Sequence, residues 1–251
     1  MEKWFDLRKL MRLGMLSFVM ITFVGNVQNQ IYEYSRIQEQ GGQQKAEEGQ
    51  SDDSVQTEDQ TNGTENQVAE VSAENGYAIM GESSVNLNQM VAYFHASGHE
   101  YPSAALGQGG APTIEDYCQM YLDESAAEGV RAEIPYVQSM KETGWLQFEG
   151  VCDVSQYNFA GMGATGGDVA GESYADVRTG IRAQIQHLKA YATIDPLAEA
   201  CVDERYVLVQ KASAPYVQWL GQQENPQGTG WATAPEYGIS IEKMIQTLKS
   251  F

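Results

Sequence analysis

At 251 residues, with 42% hydrophobic and 10% aromatic side chains, the chain can build one well-buried core but is too short for two large domains. A net charge of −19, from 34 acidic against 15 basic residues, excludes a nucleic-acid binder that neutralises phosphates and excludes adsorption to anionic lipid by charge alone. Three cysteines exclude a disulfide-dense scaffold and leave one bridge plus a free thiol open. The charge is zoned: four bases meet two acids in residues 1–27, two meet twelve in residues 28–82, and nine meet twenty in residues 83–251.

In the first zone Lys3, Arg8, Lys9 and Arg12 precede an apolar run from Leu13 to Val24. A basic stretch followed by about 12 apolar residues has the proportions of a signal peptide, whereas a comfortable membrane span needs about 20. Phe23-Val24-Gly25 is a poor cleavage site because Phe stands where a small residue belongs, and no Cys follows to make a lipoprotein signal. An uncleaved apolar helix, anchored with its basic end inside, is the competing expectation. Either way the rest of the chain is expected outside the cytoplasm, secreted or anchored to the membrane. From 28 to 82 the sequence is Gln, Glu, Ser, Asp, Asn and Gly with scattered Val and Ala. Such a stretch cannot bury enough apolar area to offset chain entropy, so an acidic disordered linker extended by self-repulsion is expected.

Helical signals dominate from residue 83 to the end. Leu87, Met90, Val91 and Phe94 recur at i, i+3, i+4, i+7. Thr113-x-x-Asp116 is a capping box opening a second stripe through Ile114, Tyr117, Cys118, Tyr121 and Leu122. A third helix is expected from about Glu128 to Glu142, with Pro135 near its first turns. Asp176 can cap a fourth, carrying Val177, Ile181, Ile185, Leu188 and Ala192 on one face, and Ser240 a fifth with Ile241, Met244, Ile245 and Leu248. Between the third and fourth, Gly144 to Tyr174 is glycine-rich and reads as irregular loop or short hairpin.

Several chemistries fail within this frame. Gly161-x-Gly163-x-x-Gly166 matches a dinucleotide fingerprint, but Gly167-Asp168-Val169-Ala170-Gly171 cannot open the helix that would hold a pyrophosphate. His95 and His99 flank Gly98, which suits a helix end better than a zinc site. No Gly-x-Ser-x-Gly elbow occurs, and Cys152 and Cys201 lack a thiol-protease context. No cofactor or metal is expected. Glu142 is left, at the expected end of the third helix and just before Thr143-Gly144-Trp145. A carboxyl there can project from a rigid helix into the groove of the glycine-rich segment, where partial desolvation would raise its pKa toward a general acid's working range. An ordinary exposed last-turn Glu is the plain alternative.

Three segments decide between these readings by their resemblance to a known family: Lys141-Glu142-Thr143-Gly144-Trp145, then Gln156 to Gly163 (QYNFAGMG), then Arg182 to Ala192 (RAQIQHLKAYA). Together, in order and spacing over about Val85 to Phe251, they resemble the peptidoglycan glucosaminidases of glycoside hydrolase family 73. The resemblance implies an α-rich α+β, lysozyme-like helical domain with a small glycine-rich β-lobe. It also implies endo-β-N-acetylglucosaminidase action on cell-wall glycan strands, without cofactor. Residue by residue, it implies Glu142 as general acid, Asn158 and Phe159 as groove floor, and Tyr191 as the tyrosine that orients the sugar or the attacking water. Trp145 and Tyr157 are candidate sugar-binding walls, with core packing as the alternative for each; Trp219 and Trp231 are placed less securely near the groove.

A two-carboxylate hydrolase needs its groups about 5 Å apart to retain configuration, or about 6.5–9.5 Å to invert. Glu172 is the candidate second carboxylate, with Asp168 and Asp153 as competitors. After Asn158 the chain reads Phe159-Ala160-Gly161-Met162-Gly163, where the simpler family form has Phe-Gly-Ile-Lys. A muramidase or lytic transglycosylase on the same fold, and a non-catalytic wall-binding domain, are the competing functions.

Overall fold

The structure, a computed structural model, describes residues 76–150, 152–164 and 171–251. They fall within one compact unit, Asn66–Phe251. The expected apolar N-terminal helix, the linker up to residue 75 and Asp168 lie outside the described residues. Residues 76–82, placed at the linker's end by their sequence, pack against the domain. Tyr77 and Ile79 are buried, Ile79 N–H donates to Pro215 O at 3.0 Å, and Arg131 N–H donates back to Ile79 O at 3.0 Å. Two apolar side chains at alternate positions were enough to bring this strap onto the core.

Among the described residues six α-helices follow. α1 (Leu87–Ala96) opens on an Asn86–Gln89 capping box; α2 (Ser103–Leu106) is a single turn. α3 (Ile114–Glu128) opens on the expected Thr113–Asp116 box. α4 (Glu133–Glu142) follows after a short turn. α5 (Val177–Ala192) is capped by Asp176, whose carboxylate accepts from Thr179 N–H at 2.7 Å. α6 (Tyr237–Lys249) ends the chain. Among the described residues none of these helices is long and apolar enough to cross a membrane.

Two helix boundaries differ from expectation. The third helix does not start near Glu128. Gly129 ends α3 in the left-handed region at φ 71°, and Val130 forms an antiparallel bridge with Met80, so the chain restarts only at Glu133. The last helix starts one turn before Ser240. Its first turn lies against the 3₁₀ turn Val217–Leu220, where a Cβ on Gly238 would stand 2.1 Å from Val217 O. Ser240 is therefore inside the helix, its hydroxyl donating to Tyr237 O at 2.7 Å.

The helix-rich architecture agrees with a lysozyme-like helical fold, but the expected β-lobe is not a sheet. Among the described residues only isolated bridges occur, and none lies between Gly144 and Tyr174. The described residues of that stretch include a 3₁₀ turn, Val154–Gln156, and are tied by Glu172 N–H to Met162 O and Tyr174 N–H to Gln156 O, both at 2.9 Å. Gly161, Gly163 and Gly171 all take positive φ, which breaks any strand register.

At the centre lies α4, buried from Glu133 through Met140. α3 and α5 flank it and are joined by charges. Glu124 accepts from Arg178 and Arg182, both at 2.7 Å. Glu128 accepts from Lys189 at 2.8 Å and from the N–H groups of Ala198 and Glu199 at 2.9 and 3.1 Å. Burial alone would raise the Glu128 pKa, but these donors outweigh it and hold the group below the usual carboxylate range.

Candidate active site

α4 delivers Glu142 to the surface and then turns sharply. Thr143 Oγ1 donates to Ser139 O at 2.7 Å and accepts from Leu146 N–H at 2.9 Å. Trp145 N–H closes onto Met140 O at 2.7 Å, and Phe148 N–H onto Thr143 O at 2.9 Å. Gly144, Trp145, Leu146 and Phe148 all have φ between 54° and 64°. Three of the four are not glycine, and each costs about 1–2 kcal/mol in that conformation. The buried Leu146 side chain helps hold the turn in place.

Glu142 exposes much of its overall surface because the groove it borders is open. Its carboxyl end is nevertheless hemmed in, and desolvation pushes its pKa up against a hydrogen bond from Tyr237 and the charge of Lys141. Tyr237, buried at the start of α6, donates its hydroxyl to Glu142 Oε1. Its own pKa is held well above the usual value, first by burial and then by the neighbouring Glu142 charge, so it stays a proton donor. Behind it stands Gln138, whose Nε2 donates to the Tyr237 hydroxyl at 3.0 Å.

The groove beside Glu142 has a volume of about 540 Å³ and is walled by Phe148, Cys152, Asn158, Trp231 and Tyr237. A second cavity of about 660 Å³, lined by residues such as Glu82, Gln119, Leu122 and Asp123, contains none of the expected site residues. Burial and then the Glu142 charge raise the Cys152 thiol pKa, which disfavours its thiolate. Cys118, buried, and Cys201, exposed, are free thiols. Among the described residues no group of three or more His, Cys, Asp or Glu could hold a metal ion.

The site residues expected from sequence divide between groove and core. Asn158 lines the groove and is buried at 1% exposure. Its amide ties the glycine-rich loop together: Nδ2 donates to Met162 O at 2.8 Å and Glu172 O at 3.1 Å, and Oδ1 accepts from Met162 N–H at 3.0 Å. The loop is seated on α5 where a Cβ on Gly180 would meet Tyr157 O at 1.9 Å.

Phe159 is not groove floor. It is 1% exposed, with its ring 5.1 Å from Tyr117 and 6.1 Å from Phe148. An aromatic following a buried Asn on a loop pressed against α5 has only the core to face. The Tyr157 ring lies against Gly109, where a Cβ would stand 2.7 Å from it, and Tyr157 is not among the residues that line the groove. Trp145 packs on Tyr93 at 4.9 Å and stacks on His99 at 6.2 Å. For Trp145 and Tyr157, packing against neighbours is thus what the structure shows.

Tyr191 hydrogen-bonds Gly230 O at 3.0 Å and stands behind Trp231 at 6.2 Å; the tyrosine on Glu142 is Tyr237. Trp231 does line the groove, whereas Trp219 packs on Tyr216 at 5.2 Å. Glu172 is half-buried on the loop that Asn158 ties. It accepts from the Tyr174 hydroxyl at 2.8 Å and lies 3.9 Å from Arg205. Asp153 is spent on capping the 3₁₀ turn through Ser155, whose hydrogen bonds hold its pKa low. Sequence reasoning missed Tyr237 because the last helix was started at Ser240, leaving Tyr237 in a loop.

A family model described as mannosyl-glycoprotein endo-beta-N-acetylglucosaminidase matches residues 118–250. An uncharacterized protein of Borreliella burgdorferi is 37% identical over 139 residues, which are 55% of this chain and 64% of that protein. This chain therefore spans less than two thirds of that relative's length. No solved structure matches the chain.

Proposed function

Starting from a chain that belongs to the endo-β-N-acetylglucosaminidase family of glycoside hydrolases, we propose that it cleaves the β-1,4 bond after N-acetylglucosamine in peptidoglycan, with Glu142 as the general acid. The observation that carries this reading is the desolvated Glu142 carboxyl, fixed by Tyr237 at the edge of an open groove. A general acid must be protonated when substrate binds, and a raised pKa keeps it so toward neutral pH. As the bond from the anomeric carbon to the glycosidic oxygen breaks, Glu142 gives its proton to that oxygen and becomes a carboxylate. Tyr237 and Lys141 then stabilise the new charge, Lys141 lying 5.9 Å from the Tyr237 ring centre. Water supplies the oxygen that finally bonds to the anomeric carbon, and the proton it releases restores the carboxyl. Trp231 and Phe148 supply apolar faces for sugar rings.

The second-carboxylate role is assigned to Glu172, on the loop that Asn158 ties to the groove. The protein works outside the cytoplasm on its wall substrate, held at the membrane if its N-terminal segment is uncleaved. Turbidity loss of purified bacterial wall tests the reading: the wild type should clear it, Glu142→Gln should not, and Glu172→Gln should be severely slowed. A Glu142→Gln protein that clears wall at the wild-type rate would refute it.

A further inference from the structure

A second group of buried polar side chains crosses the core without a full charge until it reaches Glu142. Tyr121 donates its hydroxyl to Gln184 Oε1 at 2.7 Å. Gln184 Nε2 donates to Gln138 Oε1 at 2.8 Å and to Pro135 O at 3.0 Å. Gln138 Nε2 donates to Tyr237 at 3.0 Å, and Tyr237 donates to Glu142 Oε1. Tyr121, Gln138 and Gln184 are fully buried, and Tyr237 nearly so.

Every donor in this chain points the same way, and one group dictates the direction. A backbone carbonyl can only accept, so Pro135 O fixes which end of the Gln184 amide faces it. Gln184 must turn its NH₂ toward Pro135 and Gln138, leaving Oε1 for Tyr121. Gln138 must then present Oε1 to Gln184 and NH₂ to Tyr237. The Tyr237 hydroxyl, already receiving a hydrogen, has its single proton left for Glu142.

Resting on the reading of Glu142 as the acid, we propose that Gln138 and Gln184 are positioning residues that lock Tyr237 as a donor to Glu142 Oε1. The acid proton is thereby kept on Oε2. With Oε1 already occupied by a donor, a proton on that oxygen would oppose the Tyr237 hydrogen. Aligned hydrogen bonds also polarise one another, so the amides strengthen the donor that Glu142 feels. Neither amide touches substrate; both act through Tyr237.

Carbon-13 titration of the Glu142 carboxyl in the full-length protein, assigned by the signal that Glu142→Gln removes, reads this lock with or without turnover. The same variants are assayed for the pH dependence of wall hydrolysis. Weakening a donor to a carboxylate raises its pKa, and a general acid loses activity as pH rises through that pKa. In Gln138→Met the titration and the basic limb of kcat/KM should therefore both move up, by about half a pH unit, with kcat down about tenfold and KM little changed. Gln184→Met, one step further away, should show the same signs at smaller size and serves if Gln138→Met does not fold. In a Tyr237→Phe background Gln138→Met should add nothing.

An unmoved Glu142 titration in folded Gln138→Met and Gln184→Met, or a shift that persists after Tyr237→Phe, would overturn the proposal. If the shifts are found but neither wild type nor variants hydrolyse wall, the lock stands as geometry and the assigned activity is what fails.

Discussion

Two buried polar regions meet in the helical core, and they are built on opposite rules. Between α3 and α5 the polar groups are charges, each matched by a partner: Glu124 by two arginines, Glu128 by Lys189 and two backbone N–H groups. From Tyr121 on α3 through α5 and α4 to Tyr237 on α6 they are neutral amides and hydroxyls, ending at Glu142. The first region matches its carboxylates with cations and holds the Glu128 pKa low, which suits a scaffold. The second ends on a carboxyl that receives one neutral hydroxyl and whose pKa desolvation raises against that bond and the charge of Lys141, which suits a proton store. A titratable group thus becomes chemically available where the matching of charge stops.

The largest expected effect falls on the neutral region. Glu142→Gln should lower kcat/KM for wall hydrolysis by roughly 10²–10⁴ while leaving the helical circular dichroism unchanged. Its stability should rise slightly at neutral pH. A carboxyl whose pKa is raised by folding contributes stability below its unfolded pKa and loses it as pH climbs through the folded value, and the amide has no such loss. An unfolded Glu142→Gln protein would break the separation between store and scaffold.

Next comes the paired region, where the signs reverse. Lys189→Met should destabilise the fold by roughly 3 kcal/mol, because it leaves Glu128 buried without its cation. Activity of the protein that remains folded should keep its wild-type pH profile. The Glu128 pKa is lowered by folding, so its contribution is present above the unfolded carboxyl value and lost as pH falls through the folded one. Chemical denaturation at pH 7 and at pH 3 should show Lys189→Met closer to wild type at the acid end.

Smaller effects sharpen the outline of the groove. Trp231→Ala should raise KM about fivefold, roughly 1 kcal/mol, with kcat nearly kept, while Trp219→Ala, outside the groove, should leave KM alone. Smallest of all is salt. The chain carries a net −19, so nonspecific attraction of an anionic glycan is absent. Raising ionic strength tenfold should therefore change KM by less than about twofold.

How far these regions could be read beforehand depended on the kind of signal each leaves. Local rules exposed the helices: the Thr113–Asp116 box and the Asp176 cap are both in place, since a cap is decided within four residues. They misplaced the start of α6, because Ser240 looks like a cap locally while the contact of Gly238 with Val217 is made across the fold. Glu142 was legible through its motif and its helix end. Its hydroxyl partner was not, because Tyr237 is 95 residues away in sequence, and nothing local separates it from the other 13 tyrosines. Trp145, Tyr157 and Phe159 border the site motifs in sequence but pack on Tyr93, Gly109 and Tyr117, since adjacency along a turning loop does not fix the face a ring presents. Gln138 and Gln184 gave no signal at all, because a buried amide network exists only once α4, α5 and α6 are assembled.

The most direct measurement is mass spectrometry of the soluble fragments released from purified bacterial wall by the full-length protein and by Glu142→Gln, with reducing ends identified after borohydride reduction. Fragments ending in reduced N-acetylglucosamine from the wild type, and none from Glu142→Gln, are the expected result. Ends of N-acetylmuramic acid or its anhydro form, or equal release by Glu142→Gln, would contradict it.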